Sequence, residues 1–482
     1  MRILKTVLRI AAWIVAIPIA LLTLLIGIWF FTPDEPLAAE TQALLASRPA
    51  GPDAENAYFA VFGLQAAIDR DAHDTGRKIV AAYMAHVQTA RTPDAPFAYE
   101  TLLGDSDFRK RDKRAPCVDD TPNCLALYRA QWPALRAEIE ASAPYLARYR
   151  ALRSYARFIE TVPPSMHAPI PAWGPVVHLS RLTDATIANE VAAAGTRQRA
   201  LHELAAEMAF WKRLYTEADV LITKMIATSV LQQKLRLAGE IVAAHPELIA
   251  QHGTLWAGLT QPLPPGADEI RQPMQGEIRI GARTLLDMKA LASSQQGEST
   301  LKDSLVNLAM RLGAYKPAAS VNLYVSQMET GIRTLDAAIK PARESSQGTD
   351  HQQGNAQAAN EADPFTLRAF LYNPAGRILA IISVPAFAEY SYRLRDLVAQ
   401  SRLLEAQRRI VEAKVRPADV GAFLISQGSA LANPHTSLPM DWNAATAELS
   451  FEPLSKNVKS RRLGAARIIV PEVPASGPSG RR

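Results

Sequence analysis

One apolar segment near the N-terminus constrains this chain more than any other feature of its sequence. Residues 10–31 carry no charge, and these 22 residues in a helix span about 33 Å, enough to cross the ~30 Å hydrocarbon core of a bilayer. The residues before the segment include Arg2, Lys5 and Arg9, whereas the flank after it, TPDEPLAAE, is acidic and lacks Lys and Arg. The positive-inside rule therefore predicts a single-pass signal anchor, with residues 1–9 as a cytoplasmic tip and the bulk of the chain outside the cytoplasm.

A cleaved signal peptide is the alternative interpretation of the same segment. Its apolar region would normally be only about 7–15 residues long, with an Ala-x-Ala-like cleavage site directly behind it. Here the apolar run is longer, and the nearest small-residue sequence, LAAE at 37–40, does not abut it. We therefore expect the anchor to be retained and residues 32–53 to form a linker.

The only two cysteines of the chain, Cys117 and Cys124, lie close together in sequence. Outside the cytoplasm a close pair of thiols normally oxidises, and the intervening VDDTPN bends easily, which favours a disulfide. A redox pair would have the C-x-x-C spacing, and a zinc site would need histidines closer than His86 and His167. The sequence predicts a staple over 117–124 that adds roughly 2–2.5 kcal/mol of stability on the chain-entropy model.

Helical periodicity dominates the rest of the chain, including residues 54–70, 75–91 and 316–340. About 450 residues beyond the anchor exceed the size of one ordinary core, so we expect an elongated body of many helices or two subdomains. The predicted organisation is a helical body over 54–344 with a Pro-rich connection at 161–177, a flexible loop over 345–364, C-terminal helices over 365–432, a β-hairpin element over 433–473 and a disordered tail over 474–482.

Two apolar features lie in the C-terminal helices. Leu394, Leu397, Leu404 and Val411 form a heptad-like stripe, which predicts a packing face for a neighbouring helix. The run over 378–387 is too short to cross a bilayer, so it predicts a buried segment, with contact to a membrane surface as the alternative.

The last section of the body changes from helical to alternating patterning. Met440 and Trp442 precede a polar NAAT, and Leu449 and Phe451 follow it, which predicts a small hairpin. RIIVPEV at 467–473 is a candidate for a further short strand. The predicted fold is therefore mainly α: an N-terminal transmembrane helix, an elongated multi-helix body and a small C-terminal β-hairpin.

The motifs NPAGRIL…AEYSYRLRDL and NPHTSLPMDW…LSFEPL resemble the C-terminal part of uncharacterised, membrane-anchored periplasmic helical proteins of proteobacteria. Those proteins often end in a similar Asn-Pro-aromatic-Thr hairpin, and here His435 stands at the aromatic position. The resemblance covers about a fifth of the chain. It implies a bacterial origin, an inner-membrane anchor and a periplasmic body, and it implies no activity and no site residues.

Motifs that would indicate catalysis are missing from the sequence: G-x-S-x-G, H-E-x-x-H, P-loop and G-x-G-x-x-G do not occur. His202 and Glu203 begin HELAAEMAF, which has no second histidine at the position that zinc binding requires. His252, seven residues after His245, is too far along a helix to share one ion with it and is expected to be structural.

Two surfaces remain as candidates for ligand binding. Met166, His167 and Trp173 in the Pro-rich connection combine soft thioether and imidazole groups that suit copper, although a loop that wraps a helix bundle explains the same residues. The helix with Arg148, Arg150 and Arg153 would bind an anionic glycan or lipid phosphate if these side chains cluster, and is otherwise a solvated helix.

These observations predict a non-enzymatic interaction or scaffold protein of the cell envelope, with a protein partner there and no cofactor. The net charge of +6 is modest, and nucleic acid is a poor partner outside the cytoplasm. The alternative is an envelope hydrolase or transferase whose site is assembled from scattered residues. A deep pocket with convergent His, Asp, Glu or Ser side chains would favour the enzyme.

Overall fold

The computed structural model describes residues 2–46, 52–89, 97–110, 117, 121, 123–163, 165–264, 266–294, 307–339, 371–382, 387–455 and 467–471. The predicted flexible loop at 345–364 and the predicted tail at 474–482 lie outside these residues. The helices are α1 Arg2–Phe31, α2 Ala39–Leu45, α3 Ala57–Phe62, α4 Ala72–Thr89, α5 Glu100–Leu103, α6 Asp107–Lys110, α7 Cys124–Ala130, α8 Trp132–Ala141, α9 Ala143–Ala151, α10 Trp173–Glu190, α11 Arg197–Glu217, α12 Leu221–Ala244, α13 Glu247–Gln251, α14 Gly253–Leu259, α15 Arg271–Ser294, α16 Pro317–Ile339, α17 Pro374–Ile382, α18 Ala388–Glu412 and α19 Val420–Ser426.

The N-terminal helix α1 has the properties of a membrane anchor. Among the described residues, only the stretch Ala12–Phe31 is long and apolar enough to cross a membrane, with a mean hydropathy of 2.6. Pro18 is accommodated inside the helix. By length and composition this helix can serve as a single-pass anchor or as a signal sequence.

The body is built around α12, most of whose residues are buried. α12 packs against α10, α11 and α18, and also against α7, α15 and the C-terminal sheet. The predicted stripe of α18 is confirmed as core, since Leu394, Leu397 and Leu404 are fully buried and Val411 nearly so. The run that begins at Ile378 is only partly buried: Ile378 itself is 49% exposed, Ala380 is buried, and residues 383–386 lie outside the described part of the chain.

Prolines set the boundaries between helices, as their missing N–H requires. Pro133 and Pro144 lie in the first turns of α8 and α9, so the predicted helical stretch after Cys124 is divided into three short helices. The Pro-rich connection is non-helical only as far as Ala172, because Pro175 falls in the first turn of α10 and is tolerated there.

The C-terminal sheet has three short antiparallel strands: β1 Asp441–Asn443, β2 Glu448–Ser450 and β3 Arg467–Ile469, in the order β1-β2-β3. Trp442 pairs with Leu449, and Leu449 pairs with Ile468. In the hairpin turn the Asn443 side chain accepts a hydrogen bond from the Ala445 N–H at 3.0 Å. Both the predicted hairpin and the additional strand are confirmed.

The end of α1 is joined to the body by buried polar contacts. The last carbonyls of a helix have no partner within it, and a lysine near them is favourable to the helix dipole. Lys316, only 6% exposed, donates from Nζ to the carbonyls of Trp29 at 2.8 Å and Thr32 at 2.6 Å. The body therefore caps the C-terminus of α1 directly.

A second set of contacts links the residues after α1 to the N-terminus of α16. The Asp34 carboxylate accepts from the backbone N–H of Ala318 at 2.8 Å and of Ala319 at 3.1 Å, so it caps α16 from a distant part of the chain. The Asn322 side chain donates to the Pro36 carbonyl at 3.0 Å and accepts from the Ala38 N–H at 2.9 Å. We call these contacts, with those of Lys316, the anchor joint.

Gly313 allows the body to approach α1 closely. It lies in a π-helical turn, Met310–Ala314, with φ of 94°, which favours glycine. A Cβ atom at this position would lie 2.3 Å from the carbonyl oxygen of Trp29, closer than real contacts allow. The turn and α1 therefore pack backbone against backbone.

Candidate functional site

A surface groove lies between α11 and the corner formed by α13 and α14. On α11, its residues recur at four- and three-residue intervals and so form one stripe along the helix. They are Gln198, His202, Ala205, Met208, Ala209 and Lys212. Because the alanine side chains are small, this face of α11 protrudes little into the groove. The polar side chains lie at intervals between the alanines.

The opposite wall of the groove comes from the junction of α13 and α14. It includes Gln251, His252, Thr254, Leu255 and Leu259, with Gln261 just beyond α14. A Cβ atom built on Gly253 or on Gly258 would meet nothing within 4 Å, so these glycines leave space rather than fill it. The groove encloses about 560 Å³, within the usual size range of ligand sites.

The groove is apolar at its base and is bordered by amides, two imidazoles and one amine. Lys212 donates to the carbonyls of Leu259 at 3.3 Å and Gln261 at 3.0 Å, and burial lowers the pKa of Lys212 to about 8. None of the described residues that line the groove is acidic. The groove therefore offers hydrogen-bond donors and acceptors around an apolar floor, and little net charge.

A separate cluster of charges is buried where α9, α10, α11 and α12 meet. Lys234 lies at its centre and is fully buried. Its Nζ donates to Asp184 Oδ1 at 2.5 Å, to Glu207 Oε2 at 2.9 Å and to the Ser180 carbonyl at 3.2 Å. The Tyr149 hydroxyl donates to the same Glu207 oxygen at 2.7 Å.

The buried cluster continues outward through arginine. Arg153 contacts Glu207 and forms two hydrogen bonds of 3.0 Å with Glu203, and Arg150 reaches Glu203 at 3.1 Å. Burial raises the pKa of Asp184 to about 6 despite the attraction of Lys234. Burial works in the same sense on Glu207, but the nearby Lys234 and Arg153 outweigh it and hold its pKa below the usual value. These groups bind one another and leave little access for a ligand.

A third polar site holds the N-terminus of α12. Glu160 accepts from the backbone N–H groups of Asp219 at 2.7 Å and Val220 at 2.9 Å, and from the Thr223 hydroxyl at 2.7 Å. Burial raises the pKa of Glu160 to about 7, against the opposing effect of these hydrogen bonds. Through Glu160, the segment that leads into α10 is bound to the start of α12.

The two cysteines are at disulfide-bonding distance, as predicted. Cys117 and Cys124 are both buried, and their Cα atoms are 5.6 Å apart. Glu240 on α12 accepts from the backbone N–H of Cys124 at 3.2 Å and of Leu125 at 2.7 Å. The staple therefore lies directly against the central helix of the body.

The structure uses the three predicted arginines for contacts within the protein. Arg148 donates to several carbonyls after α3, including those of Ala66 at 2.6 Å and Ala67 at 2.9 Å. Arg150 and Arg153 belong to the buried cluster described above. Binding of an anion by these arginines stays a prediction.

The three residues of the candidate copper site differ in burial. Met166 is 65% exposed and His167 is exposed, whereas Trp173 is 6% exposed and packs against Phe158 and Trp211. Within the described residues there is no group of three or more His, Cys, Asp or Glu side chains that could hold a metal ion. Met166 and His167 are thus open to solvent and Trp173 belongs to the core, and binding of copper here stays a prediction.

No motif in the sequence singles out the groove. Its signal is the regular recurrence of amide, imidazole and small residues on one face of α11, but a solvated helix face can have the same pattern. His252 was expected to be structural, and the fold brings it to the same groove as His202. The chain has no significant match to a protein-family model, a curated protein or a solved structure.

Proposed function

We propose that this chain is an inner-membrane-anchored protein of the bacterial cell envelope, whose helical body lies in the periplasm and binds a protein partner without catalysing a reaction. The observation that carries the proposal is the anchor joint. Lys316 and Asp34 bind the end of the anchor and the following residues to the body, which gives the body a fixed position over the bilayer. A fixed position suits a protein that presents a binding surface to its neighbours.

Charge and cysteine chemistry support the orientation. Positive residues precede α1 and acidic residues follow it, which favours a cytoplasmic N-terminus. The cysteine pair at bonding distance suits an oxidising compartment. The likeness of the C-terminal motifs to proteobacterial envelope proteins supports a bacterial origin.

Sidedness is tested with reporter fusions after Arg482. A fluorescent protein that matures only in the cytosol should stay dark, and alkaline phosphatase, which requires disulfides, should be active. In freshly opened cells, neither Cys117 nor Cys124 should react with a maleimide until a reductant is added. A fluorescent fusion or two freely reactive thiols would contradict the proposal.

The α11–α14 groove is the surface that we expect the partner to occupy. Its amides and imidazoles around an apolar floor suit the backbone and side chains of a peptide segment. A photo-crosslinking residue at Thr254 should form an adduct in living cells, and Ala209→Phe, which fills the groove, should abolish it.

Ala257 offers a matched control because it is exposed on α14 and does not line the groove. A crosslinker at Ala257 should give no adduct, and Ala257→Phe should leave the Thr254 adduct intact. Equal adducts from both positions, or none from Thr254, would contradict binding in the groove.

One observation favours the alternative of an envelope hydrolase or transferase. The groove brings together His202, His252 and Lys212. The pKa of Lys212 is lowered to about 8, which makes this amine a candidate base. The full chain can be incubated with chromogenic acyl and phosphoryl esters. Turnover that His252→Gln abolishes would support the enzyme and count against a purely binding function.

A further inference from the structure

The anchor joint also determines which part of the body lies next to the membrane. Residues 25–29 of α1 are partly covered, while the preceding apolar residues 12–24 are all exposed. The segment in contact with the end of α1 is the turn Met310–Ala314. The body therefore packs on the last turns of the apolar span and not only on the residues beyond it.

Helix α17 is attached to the same place. Asn373 caps α17 by accepting from the Gly376 N–H at 3.2 Å, and the same oxygen accepts from the Lys316 N–H at 2.9 Å. A Cβ atom on Gly376 would lie 1.8 Å from Ser320 Oγ, so α17 is pressed against the start of α16. α17 also contacts the turn that packs on α1.

The aromatic residues of α1 indicate the depth of this region. Trp29, Phe30 and Phe31 end the apolar span, and aromatic rings at the end of a span favour the membrane–water interface. Lys316 binds the Trp29 carbonyl, and its own backbone N–H binds Asn373 at the start of α17. If α1 spans the bilayer, residues 307–316 and α17 lie at its outer interface.

The exposed side chains here have the composition of an interfacial surface. Leu308 is 51% exposed and Ile378 is 49% exposed, which leaves two large aliphatic groups in contact with solvent near the anchor. Arg311 is exposed, and Arg377, directly before Ile378, is half-buried. Aliphatic groups beside basic ones are typical of segments that rest on a bilayer with anionic lipids.

We propose that residues 307–312 and α17 form a membrane-contact surface, which rests on the outer leaflet of the same bilayer that α1 crosses. Leu308 and Ile378 enter the boundary between head groups and acyl chains, and Arg311 and Arg377 face the lipid phosphates. The proposal rests on the anchoring role of α1. It adds that the body contacts the membrane at a second place, continuous with the anchor.

The test is depth-dependent fluorescence quenching on the full chain. The native cysteines are paired, so Ile378→Cys gives one reactive thiol for an environment-sensitive dye. The labelled protein is reconstituted in vesicles of phosphatidylethanolamine and phosphatidylglycerol. The dye should lose most of its fluorescence to doxyl-labelled phospholipid and little to iodide in solution. The same result is expected for Leu308→Cys.

Two further variants make the outcome decisive. Ile425→Cys on α19 labels another isoleucine, 69% exposed, on a helix that packs against α18, and its dye should respond to iodide rather than to doxyl lipid. Ile19→Cys reports the anchor itself. If the Ile378 and Leu308 dyes behave like that at Ile425 while the Ile19 dye responds to lipid, the contact surface is overturned and the anchor stands. An Ile19 dye that ignores the lipid would overturn both.

Discussion

Lys234 lies at the centre of the buried charge cluster of α9, α10, α11 and α12. Its ammonium balances Asp184 and Glu207 inside the body, where neither carboxylate has access to water. Removing Lys234 takes the paired cation from Asp184 and one of two from Glu207, and breaking a buried ion pair destabilises a protein far more than the intact pair stabilises it. The cluster thus makes the packing of α10, α11 and α12 strongly dependent on a single side chain.

We expect Lys234→Met to destabilise the body by about 3–5 kcal/mol, measured by chemical unfolding of the full chain in detergent. Arg136→Met is the control, because Arg136 forms an exposed pair with Glu140 within one helix and should cost no more than about 0.5 kcal/mol. Similar decreases in the free energy of unfolding of the two variants would show that the buried cluster contributes no more to stability than an exposed ion pair.

Glu160 should give the body a pH-dependent stability. Its pKa is about 7 in the folded state and about 4.5 when unperturbed, so the folded state binds more protons between these values. Stability from Glu160 is therefore fully present below about pH 4.5 and is lost as the pH rises through about 7.

The measurement compares unfolding of the wild type and Glu160→Gln at several pH values. The stability of the wild type relative to the variant should fall by up to about 3 kcal/mol between pH 4.5 and pH 8. Glu140→Gln, which removes an exposed carboxylate, serves as the control for the loss of charge. A relative stability that is constant or rises with pH would contradict the role of Glu160.

For single residues, the sequence predicts which positions are buried better than it predicts which partners the buried charges have. Lys234 and Glu207 occupy core positions in the periodic pattern of α12 and α11, a visible departure from an apolar stripe. The pattern cannot show that the two charges face each other, because the relative rotation of the helices is set by tertiary packing. The use of Arg150 and Arg153 in the same cluster was missed for the same reason.

At the scale of elements, the anchor joint depends on Gly313. Gly313→Ala should push the π-helical turn away from Trp29, since both the positive φ and the close carbonyl exclude a side chain. We expect a loss of about 1–3 kcal/mol and a longer, broader distance between spin labels on α1 and α16. The distance is measured by electron paramagnetic resonance.

Gly331→Ala is the matched control for this variant. Gly331 lies inside α16, and a Cβ atom there would meet nothing within 4 Å. Alanine favours a helix interior over glycine, so stability should stay the same or rise by up to about 1 kcal/mol, and the spin-label distance should not change. If both variants lengthen the distance, the joint does not depend on Gly313.

Long helices were predictable and short ones were not. The stretches at 75–91 and 316–340 agree closely with α4 and α16, because their apolar period extends over many turns. The predicted helix at 54–70 ends at Phe62, because the following Gly63 packs against the backbone of Ala72 at the start of α4. Such a close approach depends on a neighbour that is not apparent from the local pattern.

At the scale of the whole molecule, the joint bears on whether the anchor is retained. Cleavage near LAAE would remove the Trp29 and Thr32 carbonyls that accept from the buried Lys316 ammonium, and the Asp34 cap of α16. We expect the protein isolated from membranes to have the intact mass of the uncleaved chain. A mature N-terminus near residue 40 would show instead that α1 is a signal peptide.

The overall order of the fold was accessible from the sequence, whereas the groove was not. An uncharged run, long helical periods and an alternating C-terminal segment are local patterns, and the structure confirms an N-terminal apolar helix, a mainly helical body and a small C-terminal sheet. The groove forms where α11 meets the corner of α13 and α14. Its two walls therefore come from parts of the chain that are separated in sequence. Its position follows from how α12 and α18 pack, and no local signal encodes that.

If α1 crosses a bilayer, the contacts of Gly313 and Lys316 with its last turn couple the tilt of this helix to the orientation of the body. A transmembrane helix responds to a thinner bilayer by leaning further from the membrane normal. A change in bilayer thickness would then displace the helices of the body laterally, and the displacement would increase with their distance from α1. It would also change which neighbouring proteins these helices can contact.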